Sequence, residues 1–265
     1  MRRALISLTV VLAIFTGFGL LGWYFAKDGI RNKSEYRLSA DKIIVSPPPN
    51  WVPGRFVEDV LPSSGLNQTG FLLDKTLPQQ LTEAFAAYPW VERVKQVVPR
   101  YPSGAEVILF YREPTALVEV PQHGIFLVDR NGVLLPPEYL SESDSDSRSR
   151  YLTIQGVRSM PLGSVGTPWG DPMVHTAAQL AAALTDITEP LNLALIIPAG
   201  EAALEGVRIV CRLQTAAGTE IYWGTFSPDN PKTEAKKKRL WVLHEQFRSL
   251  DNVPASLQPI DLSRE

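Results

Sequence analysis

One cysteine, three histidines and three methionines are all that 265 residues supply of the softer metal ligands. With Cys211 alone, no intramolecular disulfide and no multi-cysteine zinc site can form. An excess of one charge is also lacking: 26 basic against 28 acidic residues leave a net charge of −2, which gives no general footprint for nucleic acid. No glycine-rich phosphate loop is present, since Gly163 and Gly166 are followed by Thr167-Pro168 with no lysine in place. His123, His175 and His244 fall in a predicted turn and two predicted helices without metal spacing, and His244-Glu245 lacks the second histidine of a zinc-protease helix. Asp144 and Asp146 lie in a serine-rich run, 141–149, that has no glycine and no bidentate acid at calcium-loop spacing, so it reads as a solvated loop. The expectation is a non-enzymatic chain with no catalytic residue, no metal, no cofactor, no nucleic-acid partner and no small-molecule substrate.

What is present begins at the N-terminus. Residues 4–26 run for 23 positions without a charge, enough for a helix of roughly 35 Å at 1.5 Å per residue, against a hydrocarbon core about 30 Å thick. Leu5, Ile6, Leu8, Val10, Leu12, Phe15, Phe18, Leu20, Trp23 and Tyr24 would face lipid or its interface, making the bilayer a partner. A cleaved signal peptide is the competing reading, because Arg2 and Arg3 precede the run. A signal core spans only about 7–15 residues and ends in small residues, whereas this run ends in Trp23, Tyr24 and Phe25, which suit an interfacial belt. A retained anchor is therefore expected. Basic residues flank both ends, so charge alone leaves its orientation open.

Residues 27–36 read as a connector and 37–45 as a strand ended by Pro47-Pro48-Pro49. Residues 55–61 suit a short helix. Thr76-Leu77-Pro78-Gln79 has the form of a capping box, followed by Leu77, Leu81, Ala84, Phe85 and Tyr88 at helical spacing. Strands are predicted over 91–98 and 105–113 about the turn Tyr101-Pro102-Ser103-Gly104, giving the order β-α-α-β-β. Further strands are predicted over 116–120, 125–129 and 133–135, the last two joined by Asn131-Gly132, a strong hairpin signal. After the polar loop come a strand over 151–154, a helix capped by Asp171-Pro172, and strands over 191–197, 207–214 and 219–224. A helix over 233–250 and a short strand over 259–262 close the chain. Cys211 alternates with Val207, Ile209 and Leu213, which makes it a small core residue. Lys236-Lys237-Lys238-Arg239 reads as the solvated face of an amphipathic helix.

Several of these pieces, in order, resemble the FtsQ/DivIB cell-division family. Gly70-Phe71-Leu72-Leu73-Asp74, Tyr88-Pro89-Trp90-Val91-Glu92-Arg93-Val94, Val98-Pro99-Arg100-Tyr101-Pro102 and Tyr111-Arg112-Glu113-Pro114-Thr115-Ala116 look like a POTRA domain of that type. Leu127-Val128-Asp129-Arg130-Asn131-Gly132-Val133, Ile221-Tyr222-Trp223-Gly224 and Ile260-Asp261-Leu262 are similar to the motifs of its second domain. The chain departs from the pattern in a stub of three residues before the apolar run, in Pro47-Pro48-Pro49 where a glycine turn is expected, and in stopping at Glu265.

The resemblance implies an α+β chain: a cytoplasmic stub at 1–3, a transmembrane helix at 4–26, a connector at 27–36, a POTRA-like domain at 37–115 and a larger mixed domain of antiparallel sheet with helices at 116–265. It implies residence in the inner membrane at the division septum, N-terminus inside and bulk outside. The implied partners are FtsL-like and FtsB/DivIC-like single-span proteins. Strand addition to a sheet edge formed by Pro259, Ile260, Asp261, Leu262 and Ser263 is the expected mode. A membrane-anchored envelope hydrolase or binding protein, and a POTRA-type chaperone of envelope assembly, are the alternatives.

Overall fold

The computed structural model describes residues 16–19, 21, 34–54, 56–66, 70–137, 150–203 and 206–263. They form an α+β chain with mixed sheets, divided into two units, Met1–Tyr111 and Arg112–Glu265. The expected transmembrane helix is corrected: among the described residues no helix is long and apolar enough to cross a membrane. Within 4–26 the described residues are 16–19 and 21, in helical backbone. Phe18 is there, 72% exposed. Leu5, Ile6, Leu8, Val10, Leu12, Phe15, Leu20, Trp23 and Tyr24 lie outside the described residues, as does the loop 141–149 with Asp144 and Asp146.

The first unit has the order β1 (Ile43–Val45), α1 (Phe56–Ser64), α2 (Leu77–Ala86), β2 (Val91–Arg100) and β3 (Gly104–Tyr111). Its sheet runs β1-β3-β2, with β1 parallel and β2 antiparallel to β3. Leu77, Leu81 and Phe85 form the buried face of α2, as their four-residue spacing dictates. Phe56 is the centre of this core: it stacks on Tyr88 at 5.2 Å and meets Phe85 and Tyr111 edge-on at 6.2 and 5.9 Å. Tyr111 Oη donates to the Ser46 carbonyl, and burial pushes its phenol up to about 12.

Two local expectations fail here for physical reasons. The strand predicted over 37–45 shrinks to Ile43–Val45, because Lys42 N–H turns back onto the Ser39 carbonyl and Ser39 bonds the Asp41 carboxylate, closing a 3-10 turn. The capping box does not form either. Thr76 is already helical and makes no side-chain cap, while Asp74 takes the Thr76 N–H on its carboxylate and the Leu77 N–H on its carbonyl.

The second unit places seven strands in the order β10-β9-β8-β7-β6-β4-β5: β4 (Pro114–Val120), β5 (Gly124–Asp129), β6 (Leu152–Ile154), β7 (Leu193–Ala203), β8 (Gly206–Thr215), β9 (Glu220–Thr225) and β10 (Ile260–Asp261). The helices are α3 (Pro172–Thr188) and α4 (Lys232–Phe247). The sheet is mixed, not antiparallel as expected: β4–β6, β6–β7 and β9–β10 are parallel. Connectivity accounts for two of these pairs, since α3 lies between β6 and β7 and α4 between β9 and β10, and a helical crossover returns the chain in the same direction. Residues 133–135 contribute isolated bridges, Val128 to Leu134 and Val133 to Pro168, instead of a strand.

Asp171 caps α3 by accepting the Met173 N–H at 2.8 Å, and Val174, Ala177, Ala178, Leu180, Ala181, Leu184 and Ile187 face the core. Asp129 organises the Asn131-Gly132 turn. Its Oδ1 accepts from the N–H groups of Asn131 and Val133, and its Oδ2 from Arg112 Nη1 at 2.8 Å, with the Asp129 side chain 3% exposed. Cys211 and Leu213 are core residues, but Val207 is 77% exposed on the distal part of the β7–β8 ribbon. The helix predicted to 250 stops at Phe247, where Arg248 turns left-handed at φ 62°, and Leu250–Asn252 forms a separate 3-10 turn.

Candidate partner-binding edge

Strand β10 is the end of the seven-stranded sheet. Ile260 sits beside Ile221 and Asp261 beside Tyr222, and Leu262 N–H donates to the Tyr222 carbonyl at 2.9 Å. Ile260 and Leu262 are buried, Asp261 is half-buried, and Pro259 and Ser263 are exposed. Pro259 has no N–H to give. Ser263 folds back, its N–H and hydroxyl both donating to Asp261 Oδ1. Of the five residues expected to form an edge, Ile260 and Asp261 are the strand, and Ile260 and Leu262 turn their side chains into the core.

The segment before β10 is anchored by Asp251. Its Oδ1 accepts from the Thr215 and Thr219 hydroxyls, and its other oxygen from Ser249. Burial would raise this carboxyl, but the hydroxyls of Thr215, Thr219 and Ser249 outweigh it and hold it below the ordinary value. On the neighbouring strand Tyr222 Oη donates to Glu201 Oε1 at 3.0 Å, and Glu201 faces Arg208 at 3.5 Å. That bond to Glu201 is the main reason the Tyr222 phenol is raised.

The lysine run expected to be solvated is split. Lys236 is 6% exposed and donates Nζ to the Trp223 carbonyl at 2.6 Å, 5.2 Å from the Trp223 ring centre. Lys237 pairs with Asp186 of α3 at 2.8 Å. Only Lys238 and Arg239 are exposed. Lys236 is buried because it stands four residues before the buried Leu240, on the apolar stripe of α4, but its partner on β9 has no signal in the local sequence. Tyr222, Glu201 and Asp251 carried no comparable signal, since each acts through a partner distant in sequence.

The histidines do not converge. His123 Nδ1 contacts the Pro121 carbonyl within its own turn, His175 Nδ1 contacts the Asn131 carbonyl, and His244 lies edge-on to Trp241. His175 shares an open cleft of about 330 Å³ with Asn131, Trp169 and Asp171. Among the described residues no three His, Cys, Asp or Glu side chains are grouped to hold a metal ion. Burial pushes the Cys211 thiol up to about 12, so it is not a thiolate at neutral pH. No family model matches the chain, and no curated protein matches it.

Proposed function

We propose that the chain is a non-enzymatic scaffold of the bacterial division complex, working on the extracytoplasmic side of the inner membrane at the septum. It recruits FtsL-like and FtsB/DivIC-like single-span proteins by accepting a strand alongside β10. The observation that supports this is the position of Pro259, Ile260, Asp261, Leu262 and Ser263 at the end of the sheet. With Ile260 and Leu262 turned inward, the backbone flank faces a newcomer, which is how strand addition gains its affinity. The motif order in the sequence supplies the family context.

The test replaces Ile260 with Asp, or Leu262 with Glu, and measures recovery of the single-span partners together with the position of a fluorescent fusion in the native host. Each substitution is expected to abolish recovery and the midcell band while β7 and β8 keep their hydrogen-exchange protection. Normal recovery and a normal midcell band in a folded variant would remove the edge from the reading.

A further inference from the structure

A two-residue parallel strand has few backbone bonds with which to hold itself against β9, so its seat must come from elsewhere. The register of β8 with β9 shows where. Cys211 pairs with Gly224 and Arg212 with Tyr222, leaving Trp223 as the extra residue of a β-bulge. A bulge takes its extra residue out of the ladder, and a buried carbonyl so displaced needs another donor. Lys236 supplies one: its Nζ, carried on α4, donates to the Trp223 carbonyl at 2.6 Å and stands 5.2 Å from the indole ring centre.

The other half of the bulge meets the end of β10. Gly224 has φ +79°, and a Cβ built there would lie 2.9 Å from Ser263 Cβ and 3.3 Å from Ser263 Cα, with Lys236 Nζ at 3.9 Å. Glycine is thus needed both for the left-handed backbone and for the passage of Ser263. The ammonium, the bulge and Ser263, two residues past β10, meet within the width of one side chain.

We propose that Lys236 and Gly224 are positioning residues that seat the terminal strand, so that the Pro259–Ser263 edge exists only while the Lys236 ammonium pins the β9 bulge. The importance of that edge rests on the scaffold reading given above; the seat itself does not.

The experiment is hydrogen exchange on the full chain in Lys236→Met, which keeps the aliphatic stem and removes the donor, and in Gly224→Ala. Because a hydrogen bond from a charged donor is lost, the Leu262 amide should exchange about tenfold faster or more, while β7 and β8 amides stay within about twofold. Lys236→Arg, which restores a cationic donor, should bring the Leu262 rate back toward wild type. An unchanged Leu262 rate, or a uniform rise throughout the unit, overturns the seat. If Lys236→Met does not fold, the local effect in Gly224→Ala decides. Loss of partner recovery in Ile260→Asp alongside an unchanged Leu262 rate in Lys236→Met overturns the seat alone. A faster Leu262 rate with partners still recovered by Ile260→Asp upholds the seat and overturns the scaffold reading.

Discussion

Each unit ends its sheet with a strand of opposite character. β2 in the first unit is ten residues long. It carries two register shifts against β3, the charged residues Glu92, Arg93, Lys95 and Arg100, and Pro99. Bulges, charges and proline are the devices by which edges discourage another strand. Arg93 lies over the Phe110 ring at 3.9 Å, so even this cation is held on the sheet face. β10 in the second unit is two residues long, with Ile260 and Leu262 inside, and the irregularity lies in its neighbour β9. The long edge carries bulges, charges and a proline, whereas the short one has its apolar side chains in the core and a bulged neighbour.

The largest effects should come from removing a buried anchor in each unit. Phe56→Ala opens a cavity among Phe85, Tyr88 and Tyr111 and is expected to destabilise the first unit by about 3–5 kcal/mol. Asp129→Ala strips the carboxylate from Arg112, whose side chain is 15% exposed, and leaves two turn N–H groups without their acceptor, for about 3–5 kcal/mol. Urea denaturation gives the magnitudes, and hydrogen exchange assigns them. Phe56→Ala should release β2 and β3, and Asp129→Ala should release β4 and β5. Equal release of both sheets by either substitution would break the comparison of two separately built edges.

The same contrast explains what could be read from sequence. The β-α-α-β-β order, the buried face of α2 and the Asp171 cap of α3 rest on local periodicity and capping, and these are written within a few residues. The apolar run over 4–26 predicts a transmembrane helix, whereas among the described residues no helix is long and apolar enough to cross a membrane. The mixed sheet was missed because parallel pairing is a property of crossovers, which bring residues such as Asp261 and Tyr222 together from 39 positions apart. Of the closing strand predicted over 259–262, Ile260–Asp261 forms, but its seat is not written locally. A lysine run looks solvated until a bulge carbonyl on another element claims its first member.

Acid should separate the two edges by a smaller amount. The Asp251 carboxyl is held below its ordinary value of 3.8 in the folded chain. Its contribution to stability is therefore fully present above that value and is lost as pH falls through the lower, folded one. Protonation would loosen Leu250–Asn252 from Thr215 and Thr219, the turn that leads into β10. Exchange of the 250–262 amides is expected to rise below about pH 4 in the wild type, and Asp251→Asn should abolish that pH step. A step of the same size in the mutant would place the acid-sensitive group elsewhere.

The smallest effects should come from exposed ion pairs such as Arg100 with Glu106 on the first sheet and Arg208 with Glu201 on the β7–β8 ribbon. Such pairs contribute about 0–1 kcal/mol, so Glu106→Gln and Glu201→Gln should each shift stability by less than about 0.5 kcal/mol. They differ in a second reading. Glu201 also accepts the Tyr222 hydroxyl, and that bond is the leading cause of the raised phenol. Glu201→Gln should therefore move the Tyr222 titration down toward the ordinary tyrosine value, seen as phenolate absorbance at lower pH, while Glu106→Gln leaves it in place. An unmoved titration in Glu201→Gln would show that Tyr222, the residue whose carbonyl holds Leu262, is not tied through Glu201 to the ribbon, and that β9 is aligned by its bulge alone.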